Sequence, residues 1–148
     1  MVVVSNKYLK DPHWYLAFVV AIGFWVVMDI FIQPATPRNL FSTPEIILVS
    51  IILYPILEEI VFRGLVQGLL LMRVRYQKVF FGLSGANVVT SILFSVLHLV
   101  HQAPLMAFLI FFPSLIFGYF RDRHRSILPS IWLHSFYNAG FLMLFVVD

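Results

Sequence analysis

Apolar residues run along this chain in five long blocks, separated by short polar or Pro-rich segments. Several blocks are long enough to cross a bilayer core of about 30 Å, which needs roughly 20 apolar residues in a helix. The first predicted helix covers residues 14–32. The segment QPATPRNLFSTPE follows, and its prolines cannot continue a helix. The second helix is predicted over 44–72, with Thr43 as its cap. The basic loop RVRYQK leads to a third helix over 84–101, and HQAP turns into a fourth over 104–120. RDRHR ends the fourth, and a fifth covers 126–147. The fold class implied is an all-α integral membrane protein, a bundle of about five transmembrane helices in a single membrane domain over 1–148.

Composition supports that class. The 148 residues are 61% hydrophobic and only 11% charged, far from the balance of a soluble domain. The chain contains no cysteine, which excludes a Cys nucleophile, a disulfide framework, a thiolate metal site and a lipoprotein anchor. Lys7 and Lys10 precede the first apolar run, as in a signal peptide. That run is too long for a signal sequence and lacks a small-residue cleavage site, so a retained anchor helix is expected.

Charge placement predicts orientation. Alternating crossings put Lys7, Lys10, Arg73, Arg75, Lys78, Arg121, Arg123 and Arg125 on one side and only Arg38 on the other. Basic loops stay cytoplasmic. The expected topology is a multi-pass protein of the cell (inner) membrane, with a cytoplasmic N-terminus and Asp148 on the opposite face. No basic patch is interleaved with aromatics, so no nucleic-acid partner is expected. There are no internal repeats.

Against this background, PILEEIVFRG at 55–64 stands out, because charges inside an apolar helix must be compensated. The polar residues within the predicted helices are few, and thirteen of them are candidates for a site. They are Glu58, Glu59, Arg63 and Gln67 on the second, Asn87, Ser91, Ser95, His98 and His101 on the third, and His134, Ser135, Tyr137 and Asn138 on the fifth. Glu59 and Arg63 are four apart and can pair along one helical face. Glu58 sits about 100° around the helix. Phe94 shares a face with His98, and His134 with Asn138. Gly64 and Gly68 form a small-residue step that would admit a close neighbour.

A carboxylate, two imidazoles and a carboxamide on three helices suit hydrolysis. A carboxylate with a histidine can bind and deprotonate a water. A second histidine and an asparagine can stabilise the oxyanion that develops on a peptide carbonyl. No covalent intermediate, metal or cofactor is required. Simpler readings exist for each residue alone. Glu59 with Arg63 fits a structural pair, Glu58 fits a satisfied core carboxylate, and a single membrane histidine is usually a helix–helix hydrogen bonder. His101 fits an interfacial position, and Asn87, Ser91 and Gln67 fit packing contacts.

The same residues form three motifs in order: EEIVFR at 58–63, FSVLH at 94–98 and HSFYN at 134–138. This pattern resembles the CAAX-protease and bacteriocin-processing family, also called the ABI family, of intramembrane glutamic proteases. The resemblance covers residues 55–140 within a core of 44–147 and leaves residues 1–43 as an additional helix and loop. It implies that Glu58 activates water with the help of His98, and that His134 and Asn138 form the oxyanion site. Glu59 and Arg63 would support the architecture, and Phe94 would pack beside the catalytic water. The implied partners are the bilayer and a membrane-associated protein or peptide, cut near its C-terminal tail. The chain is shorter than the family's prenyl-protein endopeptidases. In size it resembles compact bacterial members that process C-terminal membrane-sorting tails.

Three other readings use the same residues. GLSG at 82–85 fits a serine intramembrane protease with His134 as base. Glu58, His98, His101 and His134 could hold zinc in a metalloprotease. The Glu–His cluster could also carry protons or ions without any catalysis. Neither the oligomeric state nor the substrate's identity is legible at this level.

Overall fold

The structure is a computed structural model and describes residues 6–32 and 44–145. Arg38, the Thr43 cap and residues 146–148 lie outside the described residues. A 3-10 turn, Asn6–Lys10, leads into α1, Pro12–Ile32. Pro12 occupies the first helical position, where its missing N–H costs nothing, and Asp11 Oδ1 accepts from the His13 N–H at 3.1 Å. The second helical run, α2, covers residues 44–71 and is not uniform. Two π-helical stretches, Leu48–Leu53 and Ile60–Val66, alternate with the α-helical stretches Pro44–Ile47, Tyr54–Glu59 and Gln67–Leu71.

The basic segment expected as a loop holds a single helical turn, α3, Val74–Gln77. A small hairpin then pairs β1 (Val79–Phe80) with β2 (Leu83–Ser84), with Val79 opposite Ser84 and Phe80 opposite Leu83. Its two-residue turn needs positive φ at both positions, and Phe81 (49°) and Gly82 (80°) supply it. Three longer helices follow: α4, Gly85–His98; α5, Pro104–His124; and α6, Leu128–Phe145.

The five long helical blocks are therefore present in the expected order, but several ends differ by two residues or more. Helix α4 stops at His98 rather than 101, because Ala103 is extended ahead of Pro104 and the chain must turn first. Helix α5 continues through RDRH to His124 and ends at Arg125 in the left-handed region (φ 52°). Its polar residues do not break it because they find partners on other elements, as described below. Helix α6 begins at Leu128. Among the described residues, Pro12–Ile30 and Pro104–His124 are long and apolar enough to cross a bilayer, and Gly85–His98 is apolar but shorter.

The described chain divides into two compact units, one holding the residues up to Pro55 with those from Trp132, the other Ile56–Ile131. In the first, α1 packs on α6 through aromatic rings. Phe18 and Trp25 meet Phe136 at 4.8 and 5.1 Å between centroids, and Tyr137 donates to the Ala17 carbonyl at 3.3 Å. Gly140 makes this approach possible, since a Cβ there would lie 2.0 Å from the Trp25 ring. In the second unit, α4 packs against α5, and the close point is Gly118. A Cβ there would stand 1.9 Å from Asn87 Oδ1. Asn87 cannot retreat, because its Nδ2 donates to the Leu115 carbonyl (2.9 Å) and its Oδ1 accepts from Ser91 Oγ (3.1 Å). Gly118→Ala should therefore cost about 1–3 kcal/mol, the usual range for overpacking. Thermal unfolding of the purified protein should show a lowered midpoint.

Candidate active site

The second unit is organised around a buried charge. Arg63 and Glu59 are both 0% exposed. Their four-residue spacing brings Arg63 Nη1 to 2.8 Å from Glu59 Oε1 across one turn. Arg63 Nη2 donates to the Ser114 carbonyl (3.0 Å) and to Ser114 Oγ (2.7 Å). The guanidinium carbon lies 4.8 Å from the centroid of Phe94 and 5.4 Å from that of Phe117. One side chain of α2 thus touches both α4 and α5. Charge-assisted hydrogen bonds and aromatic faces offset its desolvation.

Phe94 carries this order to the histidine. It is buried, meets Phe62 edge-on at 4.9 Å and lies 4.4 Å from the His98 ring. His98 Nδ1 is 2.8 Å from the Phe94 carbonyl oxygen. A carbonyl only accepts, so Nδ1 carries the proton and, in the neutral ring, Nε2 presents a lone pair. The Phe-x-x-x-His spacing therefore sets both the ring's orientation and its tautomer. Glu58 and His98 are both partly exposed within this unit, whereas Glu59 is sealed.

His134 and Asn138 belong to the first unit. His134 is buried, and Asn138 Nδ2 donates to the Ser50 carbonyl at 3.0 Å. An amide nitrogen has two hydrogens, so one remains after this bond. Of the seven site residues expected from sequence, Glu58, Glu59, Arg63, Phe94 and His98 share the second unit and His134 and Asn138 share the first.

Several polar residues at the far end of the second unit form a network that residue types alone did not reveal. Gln67 Nε2 donates to the Gly118 carbonyl (3.0 Å) and to Asp122 Oδ1 (2.8 Å). Arg121 Nε donates to the Arg63 carbonyl at 3.0 Å, and Arg121 Nη1 lies 3.2 Å from Asp122 Oδ1. Ser114, Gly118, Arg121 and Asp122 recur at three- and four-residue intervals along α5, which is the only signal the sequence held. The Gly64–Gly68 step also differs from its expected use. At Gly68 the neighbour is the Arg121 guanidinium, 3.4 Å from where a Cβ would stand, and the close helix approach is at Gly118 instead.

Ser84, the nucleophile of the serine-protease reading, is committed elsewhere. It is the N-cap of α4, accepting from the Asn87 N–H at 3.0 Å, and its hydroxyl donates to Asp122 Oδ2 at 2.6 Å. Ser95 Oγ donates to the Ala107 carbonyl, a further α4–α5 tie.

An apolar, mostly helical chain with a buried ionic centre, and with Glu58 and His98 both partly exposed in one compact unit, defines the class. A family model described as type II CAAX prenyl endopeptidase Rce1-like matches residues 40–140. The chain belongs to this Rce1-like family, and membership makes it a peptidase of the membrane. No curated protein and no solved structure matches it.

Two substitutions follow from this geometry. Arg63→Met should lower folded yield and cost about 3–5 kcal/mol, because it leaves Glu59 buried without its cation. A normal yield with an unchanged unfolding midpoint would show that the pair is dispensable. Ser84→Ala should cost about 1 kcal/mol through loss of the cap but leave peptide hydrolysis intact. A covalent adduct trapped on Ser84 would contradict that.

Proposed function

We propose that this chain is an intramembrane endopeptidase of the glutamic type. Glu58 is the general base, and His98 Nε2 holds the attacking water beside it. The observation that carries this reading is the His98 ring, whose Nδ1 is tied to the Phe94 carbonyl (2.8 Å) while Phe94 packs on Arg63. It sits in a chain that matches the Rce1-like family over residues 40–140. Glu58 takes a proton from the water, and the hydroxide adds to the peptide carbonyl. His134 and the second Asn138 hydrogen stabilise the tetrahedral oxyanion. Collapse breaks the C–N bond, and the proton on Glu58 passes to the departing amine. Glu59 and Arg63 hold the helix that presents Glu58, and Phe94 shields the water. The water itself is the nucleophile, so no acyl-enzyme forms.

The substrate in this reading is a membrane-associated protein cut near its C-terminal tail, the class named by the family's prenyl endopeptidases. The protein crosses the membrane about five times. Its N-terminus and the basic segments at 73–78 and 121–125 are cytoplasmic, as their charge requires.

The test is hydrolysis of one cleavable membrane substrate by a set of variants. Glu58→Gln keeps the shape and removes the base, so the rate should fall by at least about 10²–10⁴-fold with the fold intact. His98→Ala should be similarly severe. His134→Ala and Asn138→Ala should each cost about 10²–10³-fold, the worth of one oxyanion donor. Activity should survive strong chelators. Full activity in Glu58→Gln would overturn the mechanism, and activity lost to chelators and restored by zinc would replace it with a metal-dependent one.

A further inference from the structure

The backbone ladder of α2 changes register twice. The Tyr54 N–H donates to the Val49 carbonyl, and the Gln67 N–H donates to the Phe62 carbonyl, each spanning five residues. The α-helical stretches that follow return to spans of four. At the second return one carbonyl, that of Arg63, is left over as spans of five give way to spans of four; at the first, Pro55 has no N–H, so the Ser50 carbonyl lacks its five-residue donor and the Ile51 carbonyl its four-residue donor. A buried carbonyl needs a partner from elsewhere. In both cases the carbonyl next after the last π-helical acceptor is met by a side chain of another helix. Asn138 Nδ2 donates to the Ser50 carbonyl at 3.0 Å, and Arg121 Nε donates to the Arg63 carbonyl at 3.0 Å.

The second closure bears on the chemistry. Ile60–Val66 lies between Glu58 and Gln67, and Gln67 is clamped by the Gly118 carbonyl and Asp122. If this stretch reverted to α-helical register, the segment carrying Glu58 would turn by about 100° and shift by about 1.5 Å relative to Gln67. Such a turn would aim the Glu58 carboxylate away from its present direction on the same unit as His98. The surroundings of Arg121 match this role. Gly68 leaves room for its guanidinium, with Nη2 3.4 Å from the place of a Cβ, and Asp122 orients it through Nη1.

We propose that Arg121 is a positioning residue for hydrolysis. By capping the leftover Arg63 carbonyl it holds Ile60–Val66 in π-helical register and so sets the direction of Glu58 relative to His98. This role rests on the glutamic-peptidase reading, yet its structural half can be measured separately. Because the chain has no native cysteine, spin labels can be placed at Leu57→Cys and Leu97→Cys, both exposed positions of the second unit. The label–label distance is compared with and without Arg121→Met in the full-length protein. Kinetics are measured on the unlabelled forms. The expected result is a distance shifted by about 5 Å or more, the scale of a 100° turn on a helix about 10–12 Å across. With it, kcat should fall by about 10–100-fold while KM stays within about twofold, since misplacement of a catalytic group by 1 Å can cost that much.

An unchanged distance in Arg121→Met would overturn the proposal whatever the activity. A shifted distance with unchanged kcat would overturn the positioning role. Should Arg121→Met fail to accumulate, the same two readouts on Arg121→Lys decide the matter, because lysine keeps the charge but carries its donor beyond the Nε position. Glu58→Gln tests the hydrolytic reading on its own. If that variant is active, the peptidase mechanism fails while the label distances still report the register.

Discussion

Full burial of the Arg63 guanidinium is the constraint on which the second unit depends. A cation is costly in an apolar interior unless most of its donors are met and its charge is balanced. Here Glu59 balances it one turn earlier, Ser114 accepts twice from α5, and Phe94 and Phe117 offer their ring faces. These demands bring α2, α4 and α5 together at one point. The pair is a poor source of net stability, because desolvation cancels much of its attraction. Its value lies in specificity: few other arrangements of these helices would satisfy Arg63.

The consequences extend along each helix from that point. On α4, the ring that faces Arg63 belongs to the residue whose carbonyl binds His98 Nδ1. Structural charge and candidate catalytic imidazole are thus separated by one aromatic side chain. On α5, the turn that supplies Ser114 is followed by Gly118 and then by Arg121 and Asp122, which accept or donate to Gln67, Ser84 and the Arg63 carbonyl. The interior is held by directional bonds, as expected where helix packing gains little from burying apolar side chains among apolar surroundings. The departures of α2 from regular α-helix belong to the same design, since π-helical turns tend to occur where function needs an exposed carbonyl or a redirected side chain.

Much of this was legible beforehand. The five apolar blocks are helical, and Glu59 and Arg63 meet because four residues make about one turn. Phe94 and His98 share a face for the same reason. The misreadings lie where partners distant in sequence intervene. RDRHR reads as a loop by composition, yet Asp122 and Arg121 are held by residues more than 35 positions away, and α5 continues through them. Gly64 and Gly68 suggest a helix contact, but the neighbour at Gly68 is a guanidinium.

The sequence by itself determined what depends on local spacing: an apolar helical chain, the Glu59–Arg63 pair, the Phe94–His98 face and the family to which the motifs point. Tertiary structure alone decided what depends on a distant partner. It selected Ser114 as the acceptor for Arg63, Gly118 as the close contact for Asn87, and Arg121 as the donor for a carbonyl that local register leaves over. The π-helical stretch Ile60–Val66 belongs to this second group. Nothing in ILEEIVFRG announces a five-residue span, because α and π registers differ by little locally, and the carbonyl it leaves over, that of Arg63, is met only by a side chain of another helix.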